Sequence, residues 1–151
     1  AQSALEVARK HNVTTILNPA PAQPLPAEML KMVDVITPNE GELAILNASV
    51  QLPVSDSQTL VVTQGSKGVR WQKGDQSGEI PAFKVEVVDS VGAGDAFNAG
   101  LAVALADGDS LAESLTFASA VAAIAVTRYG ASTAMPKRGE VEAFLALREE
   151  D

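Results

Sequence analysis

Between Val87 and Gly100 the chain reads VVDSVGAGDAFNAG, so that one acidic residue, Asp95, directly follows Gly92-Ala93-Gly94. A carboxylate at a helix start complements the positive end of the helix dipole and is ordinary by itself. The glycine-rich approach is less ordinary, because it bares consecutive backbone N–H groups, and proteins build anion sites in this way. Together the two features point to phosphate chemistry with a carboxylate placed beside it. Two well-known phosphate motifs fail on spacing. A P-loop needs G-x-x-x-x-G-K-[ST], whereas GSKG at Gly65 to Gly68 has neither that length nor a hydroxyl after Lys67. The dinucleotide fingerprint G-x-G-x-x-G, counted from Gly92, puts Phe97 where the third glycine belongs.

The elements that must hold this turn follow from two alternating periodicities. Leu5, Val7 and Ala8 mark a short helix ending near His11-Asn12, and TTILN then reads as a buried strand. PAPAQPLP is a stiff, non-helical connection, followed by a short helix over Ala27 to Lys31 and the strand VDVIT. PNEGELAIL is predicted as a helix opened by Pro38. TLVVT (Thr59 to Thr63) and GVRWQ (Gly68 to Gln72) are strands joined by the turn QGSKG, and FKVEVVD alternates as a half-exposed strand should. Helices are expected over Asp95 to Ala106, from a Ser110/Glu113 capping box to Arg128, and through Val141, Phe144 and Leu145. Strands alternating with helices give an α/β class with a mainly parallel sheet.

Composition narrows the function classes. A chain of 151 residues is most simply one domain, here residues 1–151, and is long enough for a real core. A net charge of −8 argues against general nucleic-acid binding but leaves room for a nucleotide held by a local field. No apolar run approaches the roughly 18 residues of a membrane span, and no membrane partner is expected. With no cysteine and no evident signal peptide, the expected setting is the cytoplasm.

DSVGAGDAF resembles the C-terminal signature of the ribokinase family of sugar kinases, written D-T-x-G-A-G-D-x-F. NPAPA (Asn18 to Ala22), TPNEGE (Thr37 to Glu42), VVTQGSKG (Val61 to Gly68) and FASAVAAIAVTRYGA (Phe117 to Ala131) agree with the family in type and order. The resemblance covers nearly the whole chain but only the C-terminal half of such enzymes. It implies a three-layer α/β/α fold without its N-terminal half and lid, and transfer of the γ-phosphoryl of ATP to the primary hydroxyl of a sugar. NPAPA and AAIAVTRYGA favour D-ribose. In the family pattern Asp95 is the base, with the N–H groups of Gly92, Ala93 and Gly94 as the anion hole. Asn39 and Glu42 fall on N-x-x-E, linked to Mg²⁺ and phosphate; taken alone they read as a capping Asn and a solvated Glu. Thr63, Gln64, Gly65, Ser66, Lys67 and Gly68 would lie along the nucleotide, where the residues alone read as a polar hairpin turn. Ser119 would border the adenine, although a mid-helix serine is commonly just tolerated. A monovalent cation, K⁺, would be held mainly by backbone carbonyls at Asp89, Val91, Ala125, Arg128, Gly130 and Ala134. At Ala134 a hydroxyl seen in some relatives is missing, with Ser132 or Thr133 nearby to compensate.

Two departures carry expectations of their own. Only ASVQLPVSDSQ separates LAILN from TLVVT, too short for the amphipathic helix that relatives carry there. Nothing corresponds to the half that supplies sugar contacts and the lid, so an open sheet edge, exposed apolar surface and homo-oligomers are expected. The competing interpretation is a non-catalytic nucleotide-binding or interaction module, or a kinase of the same family acting on another sugar or nucleoside.

Overall fold

The computed structural model describes residues 1–149, and the chain forms two compact units. The first comprises residues 1–64 and 69–79; the second comprises residues 65–68 and the chain from Ile80 onward.

In the first unit, α1 (Gln2–Lys10), α2 (Ala27–Leu30) and α3 (Glu40–Asn47) accompany one five-stranded sheet in the order β1-β2-β3-β4-β5. β1 (Ile16–Leu17), β2 (Val35–Ile36) and β3 (Thr59–Thr63) run parallel, in the register Ile16↔Val35 and Val35↔Thr59. β4 (Val69–Lys73) pairs antiparallel with β3, with Val61 opposite Trp71, so the sheet is mixed. β5 (Gln76–Ile80) follows β4 through the turn Gly74-Asp75. β5 was not expected, since QSGEI has neither alternation nor β-branched content until its last residue. It is a strand because a hairpin partner supplies its hydrogen bonds, and the Trp71 indole lies where a side chain at Gly78 would stand, 2.8 Å from an ideal Cβ. Leu30, Ile36, Leu46, Leu60 and Val62 make the core, sealed by Leu5, Leu43 and Leu52.

The short crossover between α3 and β3 contains no helix, as its length required. Gln58 does the anchoring instead. It is 1% exposed. Its Nε2 donates to the carbonyls of Leu30 (2.8 Å) and Val33 (3.0 Å), and its Oε1 accepts from the Val54 N–H (3.0 Å). A buried amide satisfied at both ends can replace an apolar plug without an unpaired-polar penalty. β1 is an edge strand of the sheet, and Val7 and Val13, nearby in sequence, are both 58% exposed.

The second unit is helical. α4 (Ala93–Asp107) packs on α5 (Leu111–Ala125), and α6 (Arg138–Glu149) on α5. An ideal Cβ at Gly100 would lie 3.0 Å from the Ala118 Cα and 2.9 Å from a Val121 methyl, so the α4–α5 crossing is close because Gly100 has no side chain. The Ser110/Glu113 capping box starts α5 as predicted. α5 ends at Ala125 rather than Arg128, and the Thr127 hydroxyl donates to the Ile124 carbonyl (2.7 Å) in the turn that follows. The predicted strand FKVEVVD is not a strand. It is extended but lies on helices: Phe83 meets Phe144 edge-on at 5.2 Å, and the N–H groups of Val88 and Asp89 both donate to the Val126 carbonyl. Alternation reports one covered face, and here helices supply the cover. Among the described residues no helix is long and apolar enough to cross a membrane.

Candidate active site

Asn39 and Thr63 come together in the first unit. Pro38 precedes rather than opens α3, which begins at Glu40 with Asn39 as its N-cap. The Asn39 Oδ1 accepts from the Glu42 N–H, and the Glu42 Oε2 accepts from the Asn39 N–H, each at 2.8 Å. This reciprocal box fixes both side chains at the helix start. A parallel bridge joins Asn39 to Thr63, and the Thr63 N–H donates to the Pro38 carbonyl (3.0 Å). Gln64 Nε2 donates to Glu40 Oε1 (2.9 Å). Four candidate residues therefore gather beyond the carboxyl ends of β2 and β3, where open α/β sheets bind ligands. Among the described residues no three His, Asp or Glu side chains cluster as a metal cage. The oxygen donors of Asn39 and Glu42 suit Mg²⁺, which keeps waters and takes few protein ligands. A cleft of about 410 Å³ in this unit, lined by Leu43, Asn47, Leu60, Val62 and Arg70 among others, contains none of the candidates.

The turn Gly65 to Gly68 belongs to the second unit and closes as a single 3₁₀ turn over Gly65–Lys67. Gly68 has φ +99°, and a Cβ there would sit 2.1 Å from the Ile80 carbonyl oxygen. Only glycine fits. Ser66 and Lys67 are exposed at the tip.

The anion-site candidates also lie in the second unit. α4 starts two residues earlier than predicted, at Ala93, with Gly92 as a left-handed N-cap (φ 77°). Ala93 N–H donates to the Ser90 carbonyl (3.2 Å), so the orphan first-turn donors are those of Gly94 and Asp95. Asp95, at the third helical position, is exposed. Asn98 Nδ2 donates to the Gly94 carbonyl (2.8 Å), tying the turn to the next one of α4. A Cβ at Gly92 would stand 2.9 Å from that of Ala131, so the turn leans directly on the loop after α5. Asp89 links the two chemically: one carboxylate oxygen accepts from the Val91 N–H and the other from the Gly130 N–H, each at 3.0 Å. These two backbone donors hold the Asp89 carboxyl below its ordinary value of 3.8.

The segments named for a monovalent cation, at Asp89 and Val91 and at Ala125 to Ala134, are thus adjacent. Hard carbonyl donors on a loop with little side-chain identity suit such an ion. Ser119, 9% exposed on α5, has a buried hydroxyl with no hydrogen-bond partner. Sequence reasoning missed Glu140. It accepts from the Lys137 N–H (2.8 Å) and from the Arg128 guanidinium, and both contacts lower its pKa, the backbone one more. Its signal was faint, one acidic residue directly before Val141, the first apolar position of α6.

The model of the pfkB family of carbohydrate kinases matches residues 1–138. The chain belongs to that family. This pfkB chain is 43% identical over 141 residues to a ribokinase of Bacillus subtilis, covering 90% of itself and 47% of that protein. With a ribokinase of Haemophilus influenzae it shares 39% over 157 residues, 94% of itself and 50% of the relative. Among solved structures, the ribokinase of Thermotoga maritima superposes with TM-score 0.84 at 39% identity, covering 95% of this chain and 52% of that one. An Arabidopsis thaliana ribokinase complexed with ribose and ATP also gives 0.84, at 32% identity, covering 93% and 50%. The fold is therefore that of ribokinase-like kinases. The pfkB chain spans about half the length of these relatives and corresponds to their C-terminal portion.

Proposed function

We propose that this chain carries the nucleotide-binding and phosphoryl-transfer half of an ATP-dependent sugar kinase, acting on D-ribose to give ribose 5-phosphate. The observation that carries the proposal is the left-handed Gly92 cap, which leaves the Gly94 and Asp95 N–H groups at the start of α4 beside an exposed carboxylate. In transfer, the bond from the γ-phosphorus to the ADP oxygen breaks as one forms to the sugar's primary oxygen. Asp95 takes the hydroxyl proton, and the first-turn N–H groups offset charge growing on the phosphoryl oxygens. Mg²⁺, when bound, neutralises phosphate charge; Asn39 and Glu42 would hold it through water. Thr63, Gln64 and the Gly65–Gly68 turn bind the nucleotide, and the unpartnered hydroxyl of Ser119 suits a polar edge of its base. K⁺ at the Asp89 and Ala125–Ala134 carbonyls orders the anion-hole loop without touching substrate. Cytoplasmic enzymes assembled as homo-oligomers fit the same picture.

Ribose is preferred over other sugars because the sequence relatives above are ribokinases and one solved neighbour holds ribose and ATP. ADP release measured against D-ribose, 2-deoxyribose, fructose and adenosine tests this. Release with MgATP that depends on D-ribose and yields a ribose monophosphate is expected. Tight ATP binding with no sugar-dependent release would favour the non-catalytic nucleotide-binding module.

A further inference from the structure

We propose that Glu140 is a positioning residue for the phosphate-binding turn at Gly92 to Asp95, acting through Arg128 and the loop Tyr129 to Ala131; this rests on the kinase function proposed above. The connection is continuous. One Glu140 oxygen caps the first turn of α6 through the Lys137 N–H, and the other grips the guanidinium of Arg128. Arg128 sits just past α5, its N–H bonded to the Ala125 carbonyl (3.1 Å). Two residues on, Gly130 donates to Asp89, whose other oxygen holds Val91 (3.0 Å each), and Ala131 fills the space against Gly92. Moving Arg128 therefore moves the surface on which the left-handed Gly92 cap leans. The pair is half-exposed, with side chains 36% and 44% accessible, so it adds little to global stability. What it fixes is the place where the loop stands, and small displacements of an anion hole cost binding and rate disproportionately.

Glu140→Gln separates positioning from capping, because glutamine serves a cap as glutamate does but cannot pair ionically with Arg128. It also separates positioning from charge. Removing a negative group should strengthen phosphate binding by simple electrostatics, whereas a loosened brace weakens it. The experiment titrates inorganic phosphate into the 151-residue chain and follows the Gly94 amide by NMR, with amide exchange at Gly130 recorded in the same samples. Glu140→Gln and Arg128→Gln should each weaken phosphate binding about two- to fivefold and speed Gly130 exchange by a similar factor. The double variant should be no worse than either single one, as expected for partners in one contact. Wild-type phosphate affinity and unchanged Gly130 exchange in Glu140→Gln would overturn the proposal, as would additive effects in the double variant. If phosphate leaves the wild-type Gly94 amide unmoved, the kinase function fails on its own, and Gly130 exchange still decides the brace.

Discussion

Asn39 and Asp95 both stand at the start of a helix, yet the two side chains are committed differently. Asn39 is spent on a cap with Glu42, while the Asp95 carboxylate faces solvent. The capping box explains why the bland interpretation of Asn39 and Glu42 and the metal-binding one are not exclusive: the box holds one carboxylate oxygen of Glu42 in a fixed place. Glu42→Gln keeps the box, since glutamine caps as well. Its thermal midpoint should stay near wild type while Mg²⁺ affinity in the nucleotide complex falls about tenfold, measured by calorimetry with and without metal. Unchanged Mg²⁺ affinity in this variant would mean that Glu42 acts only as a cap. Gly92→Ala should be more damaging than Glu42→Gln, because φ 77° is strained for alanine and the new methyl meets Ala131. Lost phosphate binding at Gly94, with α4 still formed, is the expected result.

At the scale of elements, the close α4–α5 crossing depends on Gly100. Gly100→Val should destabilise the second unit by about 1–3 kcal/mol through overpacking on Ala118 and Val121, read by denaturant unfolding. Glu113 offers a pH test. The Ser110 hydroxyl and N–H hold its carboxyl below the ordinary 4.5, so its stabilising contribution is present above that pH. It disappears as pH falls through the lower folded value. Ser110→Ala should therefore lower Tm more at pH 7 than at pH 3, and an equal drop at both would count against the box. Capped helices and the parallel strands were legible in the sequence because caps and apolar runs are local signals. β5 and the unpaired segment before Asp89 were not, because a strand is defined by its neighbour: QSGEI gained one and FKVEVVD did not. The same distinction divides the site. Gly92 to Asp95 and Asn39 to Glu42 are contiguous motifs and could be read directly. The Arg128–Glu140 pair and the Asp89–Gly130 bond join residues 12 and 41 apart, and no local pattern announces them.

For the whole molecule, family membership and fold rest on similarity along nearly all of this chain, while the relatives are about twice as long. The balance between a sugar kinase and a nucleotide-binding module therefore turns on whether the α4 N-terminus does chemistry. Potassium gives a collective test: rates in K⁺ should exceed those in a bulky organic cation at matched ionic strength, and equal rates would remove the carbonyl site. The most direct measurement of the central claim is kcat for D-ribose phosphorylation alongside Kd for MgATP, in wild type and Asp95→Asn, using a form of the protein that phosphorylates sugar. Loss of the base should lower kcat by about 10²–10⁴-fold. Nucleotide affinity should change little, because asparagine is nearly isosteric and the backbone donors of Gly94 and residue 95 remain. An unchanged kcat, or a collapse of nucleotide binding without a change in kcat, would contradict the account.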